Sequence, residues 1–273
     1  MTQHQYKGKV LTIAGSDSSG GAGIQADIKT ISSLGCYAAS CITSVTVQNT
    51  IQVYSTYNMP QNIIQQQIEV VLFDINIDAI KIGMLPSSEA IISVEKSLPS
   101  NIPIIVDPVM ISASNFKLMD DNAVSHFIEH IVPKATIITP NIPEAEALAQ
   151  IKINDQDDMI AASKIIKSLG AKFVLVKGGH INQETINNIL LTEHNQIFNF
   201  PHERIFQGEL HGTGCTLSSA IASFIAQKMS VYDSINSAIQ YILNTIKTIP
   251  KIGKGNNPVF HNYNIINTED NKI

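Results

Sequence analysis

Short runs rich in β-branched residues alternate along this chain with segments whose apolar positions recur every three or four residues. The runs at 10–14, 37–47, 79–84, 102–109, 135–139 and 173–177 have the length and composition of buried strands. Between them, Ile24, Ile28 and Ile31 recur at helical spacing, as do Ile64, Ile68, Val71 and Leu72. Further helices are predicted over 120–131, 143–149 and 155–169. Strand and helix in alternation imply a mostly parallel sheet covered by helices on both faces. The rhythm changes after Lys177, where 189–192 and 197–200 read as a hairpin turning near Glu193, His194 and Asn195. Two helices follow. One opens at 211–215 and carries a stripe of Leu217, Ala220, Ile221, Phe224 and Ile225; the other spans 231–246. No repeat or long linker interrupts the pattern, so residues 1–273 are expected to form one domain with a frayed polar end at 264–273.

Chemistry concentrates where strands hand over to helices. In His211-Gly212-Thr213-Gly214-Cys215, two glycines let the backbone turn sharply and approach a ligand. The first N–H groups of the following helix then point outward at the positive end of its dipole, a setting for a phosphate or a developing phosphoryl anion. The same field should stabilise a Cys215 thiolate, which could take a proton from a substrate hydroxyl. The plainer reading is a capping turn with an inert thiol. The stretch Gly15-Ser16-Asp17-Ser18-Ser19-Gly20-Gly21-Ala22-Gly23 matches neither dinucleotide-loop nor Walker A spacing. Asp27, between Ile24 and Ile31, falls on the apolar face of its helix and needs a partner, either a bound polar ligand or nearby backbone. Gln48 ends a strand at the sheet's carboxyl edge, where its amide can pair with a ring nitrogen and an adjacent amino group or, with Asn49, serve only a turn or cap. Asp107 and Glu144 could serve a divalent cation, directly or through water. Dipole stabilisation in the first turn of a helix would equally explain Glu144. Lys177, at a strand end, is a point charge for nucleotide phosphates or a solvated lysine. His180 and His211 are expected to be structural rather than metal ligands.

Composition narrows the class. Hydrophobic residues make up 44% and charged residues 15%, as in a globular chain. A net charge of −5 argues against a nucleic-acid or anionic-membrane surface, so any phosphate site must be built locally. No segment approaches the roughly 18 apolar residues of a membrane span, and the first nine residues lack a signal-peptide core. The 3 cysteines, Cys36, Cys41 and Cys215, lack metal-ligand spacing, which fits a reducing cytoplasm.

The stretches LTIAGSDSSGGAGIQADIKT, VQNT, IKIGM, VDPVM, TPNIPEAEAL, VKGGH and HGTGCTLSSAIAS, in this order from Leu11 to Ser223, resemble the hydroxymethylpyrimidine/phosphomethylpyrimidine kinases of thiamine biosynthesis. The resemblance implies a ribokinase-like α/β fold: three α/β/α layers around a mostly parallel sheet, with a small flap. It implies two phosphoryl transfers from ATP with Mg²⁺, first to a pyrimidine hydroxymethyl group and then to the monophosphate, in a homodimeric enzyme. Carried over by position, Gly15, Asp27, Gln48, Met84 and Val109 form the pyrimidine pocket. Gly212, Gly214, Cys215 and Lys177 carry the chemistry. Asn141, Glu144, Lys177 and Thr213 hold the nucleotide, and Asp107 and Glu144 act on Mg²⁺ through water. The chain departs from the family pattern in three places. Glu209-Leu210 precede the His-Gly-Thr-Gly-Cys run in place of Asn-Thr. Ser114-Asn115-Phe116 replace a glycine-containing flap, and Asn256-Asn257-Pro258 follow Gly253-Lys254-Gly255 where another glycine is usual.

Two other functions compete. A pyridoxal kinase of the same superfamily would also phosphorylate a ring hydroxymethyl group, although pyridoxal lacks an amino group beside its ring nitrogen for Gln48 to read. A non-catalytic ligand sensor on the same fold would have no need of Lys177, Glu144 and Cys215.

Overall fold

The computed structural model describes residues 5–112, 116–180, 184–205, 210–247, 249 and 251–263. The chain opens with β1 (Lys9–Asp17), α1 (Gly23–Ser33), β2 (Tyr37–Gln48), β3 (Val53–Asn58) and α2 (Gln61–Asp74). It continues through β4 (Ala79–Ile82), α3 (Ser88–Ser97), β5 (Ile104–Val106), α4 (Asp121–His126) and β6 (Ile137–Ile138). Then come α5 (Ile142–Ala149), α6 (Gln156–Ser168), β7 (Phe173–Val176), the hairpin β8 (Thr185–Leu191) and β9 (Ile197–Glu203), α7 (Thr213–Ala226) and α8 (Val231–Lys247).

All strands among the described residues join one 9-stranded sheet in the order β3-β2-β1-β4-β5-β6-β7-β8-β9. From β2 to β7 the neighbours are parallel, while β3, β8 and β9 pair antiparallel at the two edges. The chain starts at β1, builds outward to β3, then crosses back to β4 on the other side of β1. At such a reversal the flanking connections leave in opposite directions and open a crevice beyond the strand ends, where ligands bind.

Period-two alternation sends successive strand residues to opposite layers. Leu11 and Ile13 of β1 join Ile64 and Ile68 of α2, Ile91 and Val94 of α3 and Ile166 of α6 on one face. Val10 joins Ile31 of α1, Ala220 and Ile221 of α7 and Ile235 and Ala238 of α8 on the other. Lys81 of β4 lies in register with Thr12 of β1 and shares this second layer. Both are fully buried, and so is Asp27 of α1.

The predicted strands and helices are present, with shifted bounds. β5 and β6 are shorter than expected because Pro103 and Pro108 limit the first and Pro140 the second. β3 and α3 were not predicted. The predicted helix over 120–131 changes to a π-helical turn at Phe127–Ile131 and a 3₁₀ turn at Val132–Lys134. The flap residues Ser114 and Asn115, together with Glu209 and the expected frayed end at 264–273, lie outside the described residues.

Candidate active site

The carboxyl ends of the parallel strands, the β8–β9 hairpin and the N-terminus of α7 enclose a cavity of about 860 Å³, room for a nucleotide and a small ring together. Gly212 precedes α7 in the left-handed region at φ +82°, and a Cβ there would collide with the Gly21 carbonyl. The first turn of α7 therefore enters the cavity against the loop that follows β1. Gly214 lets two charged groups approach the helix, since a Cβ would lie 3.3 Å from Asp107 Oδ2 and 3.4 Å from Lys177 Nζ.

Those charges form a compact set. Lys177 Nζ donates to Asp107 Oδ1 at 2.9 Å and stands 3.9 Å from Glu144 Oε2. The pairing of Asn141 with Lys177 through a backbone bridge holds the two segments side by side. Asn141 and Glu144 close a capping box at the start of α5: Glu144 N–H donates to Asn141 Oδ1 and Asn141 N–H to Glu144 Oε2. Burial and the neighbouring Asp107 push the Glu144 carboxyl up to about 7 against the opposing pull of Lys177. Burial works to lower Lys177, but Asp107 and Glu144 outweigh it and hold the ammonium above its ordinary value.

Cys215 corrects one expectation. Burial pushes its thiol up to about 12, with Asp27 and Asp107 adding to the rise and Lys81 opposing it. The helix N-terminus does not produce a resting thiolate, because desolvation and two nearby carboxylates exceed its field.

Asp27 corrects another. It does not line the cavity. It lies beneath the site, where Lys81 Nζ donates to both its oxygens at 2.9 Å and the hydroxyls of Thr12 and Ser219 donate at 2.6 and 2.7 Å. Its partner is a lysine rather than a ligand. Lys81 was not singled out in the sequence, although a lysine inside an apolar strand run is the signal that could have found it.

The remaining candidates, Gly15, Gln48, Met84, Asp107, Val109, Asn141, Glu144, Lys177, Gly212, Thr213, Gly214 and Cys215, all line the one cavity. Gly15 leaves space for Met84, whose sulfur would be 2.7 Å from a Cβ at that position. The loop after β1 is organised by Asp17, which accepts from the N–H groups of Ser19, Gly21 and Ala22. His211, expected to be structural, is buried in the cavity wall 2.7 Å from Asp17. Sequence reasoning also passed over Ile239, Ile242 and Leu243 of α8, which furnish an apolar wall; their spacing signals only a buried face. Among the described residues no cluster of three or more His, Cys, Asp or Glu could hold a metal by itself. Asp107 and Glu144 suit a cation completed by water and phosphate oxygens.

Comparisons with known proteins agree with this geometry. The family model for phosphomethylpyrimidine kinase matches residues 17–260. The chain is 41% identical over 257 residues to the thiamine biosynthesis bifunctional protein ThiED of Geobacter sulfurreducens, covering 93% of this chain and about half, 52%, of that longer relative. It is 37% identical to the hydroxymethylpyrimidine/phosphomethylpyrimidine kinase of Mycobacterium bovis, with 92% of both chains covered. Among solved structures, the phosphomethylpyrimidine kinase of Clostridium difficile 630 superposes with a TM-score of 0.78 at 44% identity, over 88% of this chain and 99% of that one. The pyridoxal kinase of Staphylococcus aureus in complex with ADP superposes with a TM-score of 0.86 at 31% identity, over 97% and 95%. A ribokinase-like sheet, a helix N-terminus facing a lysine and two carboxylates, and a match over nearly the whole chain lead to one assignment: this chain belongs to the phosphomethylpyrimidine kinase family.

Proposed function

We propose that this kinase transfers the γ-phosphoryl group of ATP to the hydroxymethyl group of 4-amino-5-hydroxymethyl-2-methylpyrimidine, and then a second group to the resulting monophosphate, in thiamine biosynthesis. The observation that carries the reading is the shared cavity: Gln48 and Met84 line it together with Lys177, Glu144 and the α7 N-terminus. A ring read by Gln48, with Gly15, Met84 and Val109 around it, would then have its hydroxymethyl group near Cys215.

Phosphoryl transfer needs little covalent help from a protein and much positioning and charge stabilisation. The N–H groups of Gly214 and Cys215 and the approach through Gly212 are assigned to the transferred phosphoryl group. Lys177 is the point charge beside it, and Asn141, Glu144 and Thr213 are assigned to the nucleotide. Asp107 and Glu144 would hold Mg²⁺ through water; when bound, the ion offsets charge on the phosphates. Cys215 is the group assigned to accept the hydroxyl proton. With a thiol this high, only a small thiolate fraction is available near neutrality.

A homodimer is the second part of the proposal. Val45 and Val47 of β2 and Tyr57 of β3 stand exposed, and Val45 pairs directly with Tyr57 across the ladder. An apolar group of this kind suits a second copy. No helix among the described residues is long and apolar enough to cross a membrane. A cytoplasmic setting is part of the reading, since it supplies MgATP and keeps the unpaired cysteines Cys36, Cys41 and Cys215 reduced.

A pyridoxal kinase is the competing reading, favoured by the superposition on the Staphylococcus aureus enzyme. ADP release with MgATP and, separately, hydroxymethylpyrimidine, its monophosphate and pyridoxal decides between them. Turnover of both pyrimidines is the expected result. Turnover of pyridoxal alone would move the assignment to that vitamin, and no turnover of any of the three would leave a binding protein on a kinase fold.

A further inference from the structure

Gln48 lies in a hydrogen-bond network that is inconsistent with one orientation of its amide. His211 Nε2 stands 2.7 Å from Asp17 Oδ2 and 3.1 Å from Gln48 Nε2. Asp17 is a carboxylate fixed by several donors, so the imidazole nitrogen facing it must carry the hydrogen. A protonated Nε2 cannot accept from an amide N–H, and the close contact with Gln48 Nε2 would then set two donors against each other. The other end of the amide carries a matching conflict. The Thr46 hydroxyl has one proton, yet it faces two acceptors, Ser16 O at 3.1 Å and Gln48 Oε1 at 3.0 Å.

The two ends of a primary amide are nearly isosteric, and the surrounding donors decide which is which. Turning the Gln48 amide by half a turn replaces the donor–donor contact at His211 with a donor–acceptor one and leaves the Thr46 proton free for Ser16 O. The amide's oxygen then shares the single His211 Nε2–H with Asp17, whose Oδ2 at 2.7 Å takes the stronger branch. Its nitrogen donates one proton to Thr46 Oγ1, whose own proton is committed to Ser16 O. The Gln48 backbone is independently held, since its N–H donates to Ser18 Oγ and its carbonyl accepts from the same hydroxyl. The oxygen keeps one lone pair free and the nitrogen one proton.

We propose that His211, oriented by Asp17, is a positioning residue that fixes the Gln48 amide with its oxygen toward His211 and its nitrogen toward Thr46, and thereby sets the order of acceptor and donor offered to the substrate ring. The inference rests on the pyrimidine reading of the site. A ring presenting an amino group beside a ring nitrogen matches the two free valences in one orientation only. Its amino group lies on the His211 side and its ring nitrogen on the Thr46 side. Asp17 has a second task, because the same carboxylate gathers the Ser19, Gly21 and Ala22 N–H groups. His211 is therefore the cleaner position to change.

The test compares His211→Leu with His211→Gln, since a glutamine amide places an N–H donor near the Nε2 position. His211→Leu is expected to raise the KM for the aminopyrimidine roughly tenfold, the scale of one lost orienting hydrogen bond. Its kcat and its KM for ATP should change little, and His211→Gln should recover most of the loss. The analogue lacking the 4-amino group should lose affinity in the parent enzyme and lose little more in His211→Leu, a non-additive pair. Equal impairment by Leu and Gln, spread over both KM values and kcat with a lowered Tm, would show a merely structural histidine and overturn the proposal. Additive losses with the analogue would overturn it as well. Failure of the parent enzyme to use any aminopyrimidine would instead defeat the substrate reading. The amide orientation is then read in the free protein by NMR. Proximity of the Gln48 NH₂ protons to the Thr46 methyl group supports it, and proximity to the His211 ring proton overturns it.

Discussion

Replacing Cys215 with alanine is expected to leave pyrimidine binding by calorimetry within a factor of about three and to reduce kcat by a hundredfold or more, the scale of one acid–base group. With the thiol pushed up to about 12, its thiolate fraction rises tenfold per pH unit below that value. The Cys215-dependent rate should therefore climb across about pH 6 to 9, and a flat profile would remove Cys215 as the proton acceptor. Glu144 behaves in the opposite sense. Its carboxyl is raised from an ordinary 4.5 to about 7, so its contribution to stability is fully present below 4.5 and is lost as pH rises through about 7. Tm should fall over that window and flatten in Glu144→Gln. Added Mg²⁺ should restore more Tm at pH 8 than at pH 6, in the parent protein only. At this scale the sequence was informative wherever a residue type sat at a strand–helix junction. It misled for Asp27, because a partner four elements further along the chain, Lys81, cannot be inferred from helical spacing alone.

Elements were legible where their own residues decide them. β1 and β7 are continuous apolar runs buried on both faces, α1, α2 and α8 follow period 3.6, and all five form as predicted. β3 was missed because Val53–Asn58 buries only Val53 and owes its strand state to pairing with β2. α3 was missed because its signal is a short stripe, Ala90, Ile91 and Val94, behind a Ser87 cap. The Lys81–Asp27 pair belongs to this scale, since it ties β4 to α1 and, through Ser219, to α7. Lys81→Met would leave a buried carboxylate unpaired and is expected to cost about 3–5 kcal/mol in urea unfolding. Adding Asp27→Leu should recover a large part of that loss. A single variant as stable as the parent would mean that solvent reaches the carboxylate.

For the molecule as a whole, alternation alone specified a mostly parallel sheet between two helical layers, whereas the reversal between β1 and β4 that opens the crevice is seen only in the strand order. The antiparallel β8–β9 hairpin was also legible, but the antiparallel pairing of β3 with β2 and of β8 with β7 was not, because pairing direction depends on where the chain returns rather than on local composition. The exposed Val45, Val47 and Tyr57 bear on assembly. Sedimentation equilibrium at micromolar concentration should give twice the chain mass, and Val45→Lys with Tyr57→Lys should give the monomer with its fold intact. A monomeric parent protein would leave that patch to another partner.

The bonds that finish the site join residues far apart in the chain. Asp17 reaches His211 across 194 positions and Asp27 reaches Ser219 across 192. A growing chain on the ribosome can assemble much of its sheet early, yet it holds the Lys81–Asp27 pair without the Ser219 hydroxyl until α7 emerges. Competence for chemistry thus arrives late in synthesis. A chain halted before residue 211 would lack the α7 N-terminus and leave the loop after β1 without its His211 contact, and truncated products would be inert rather than partly active.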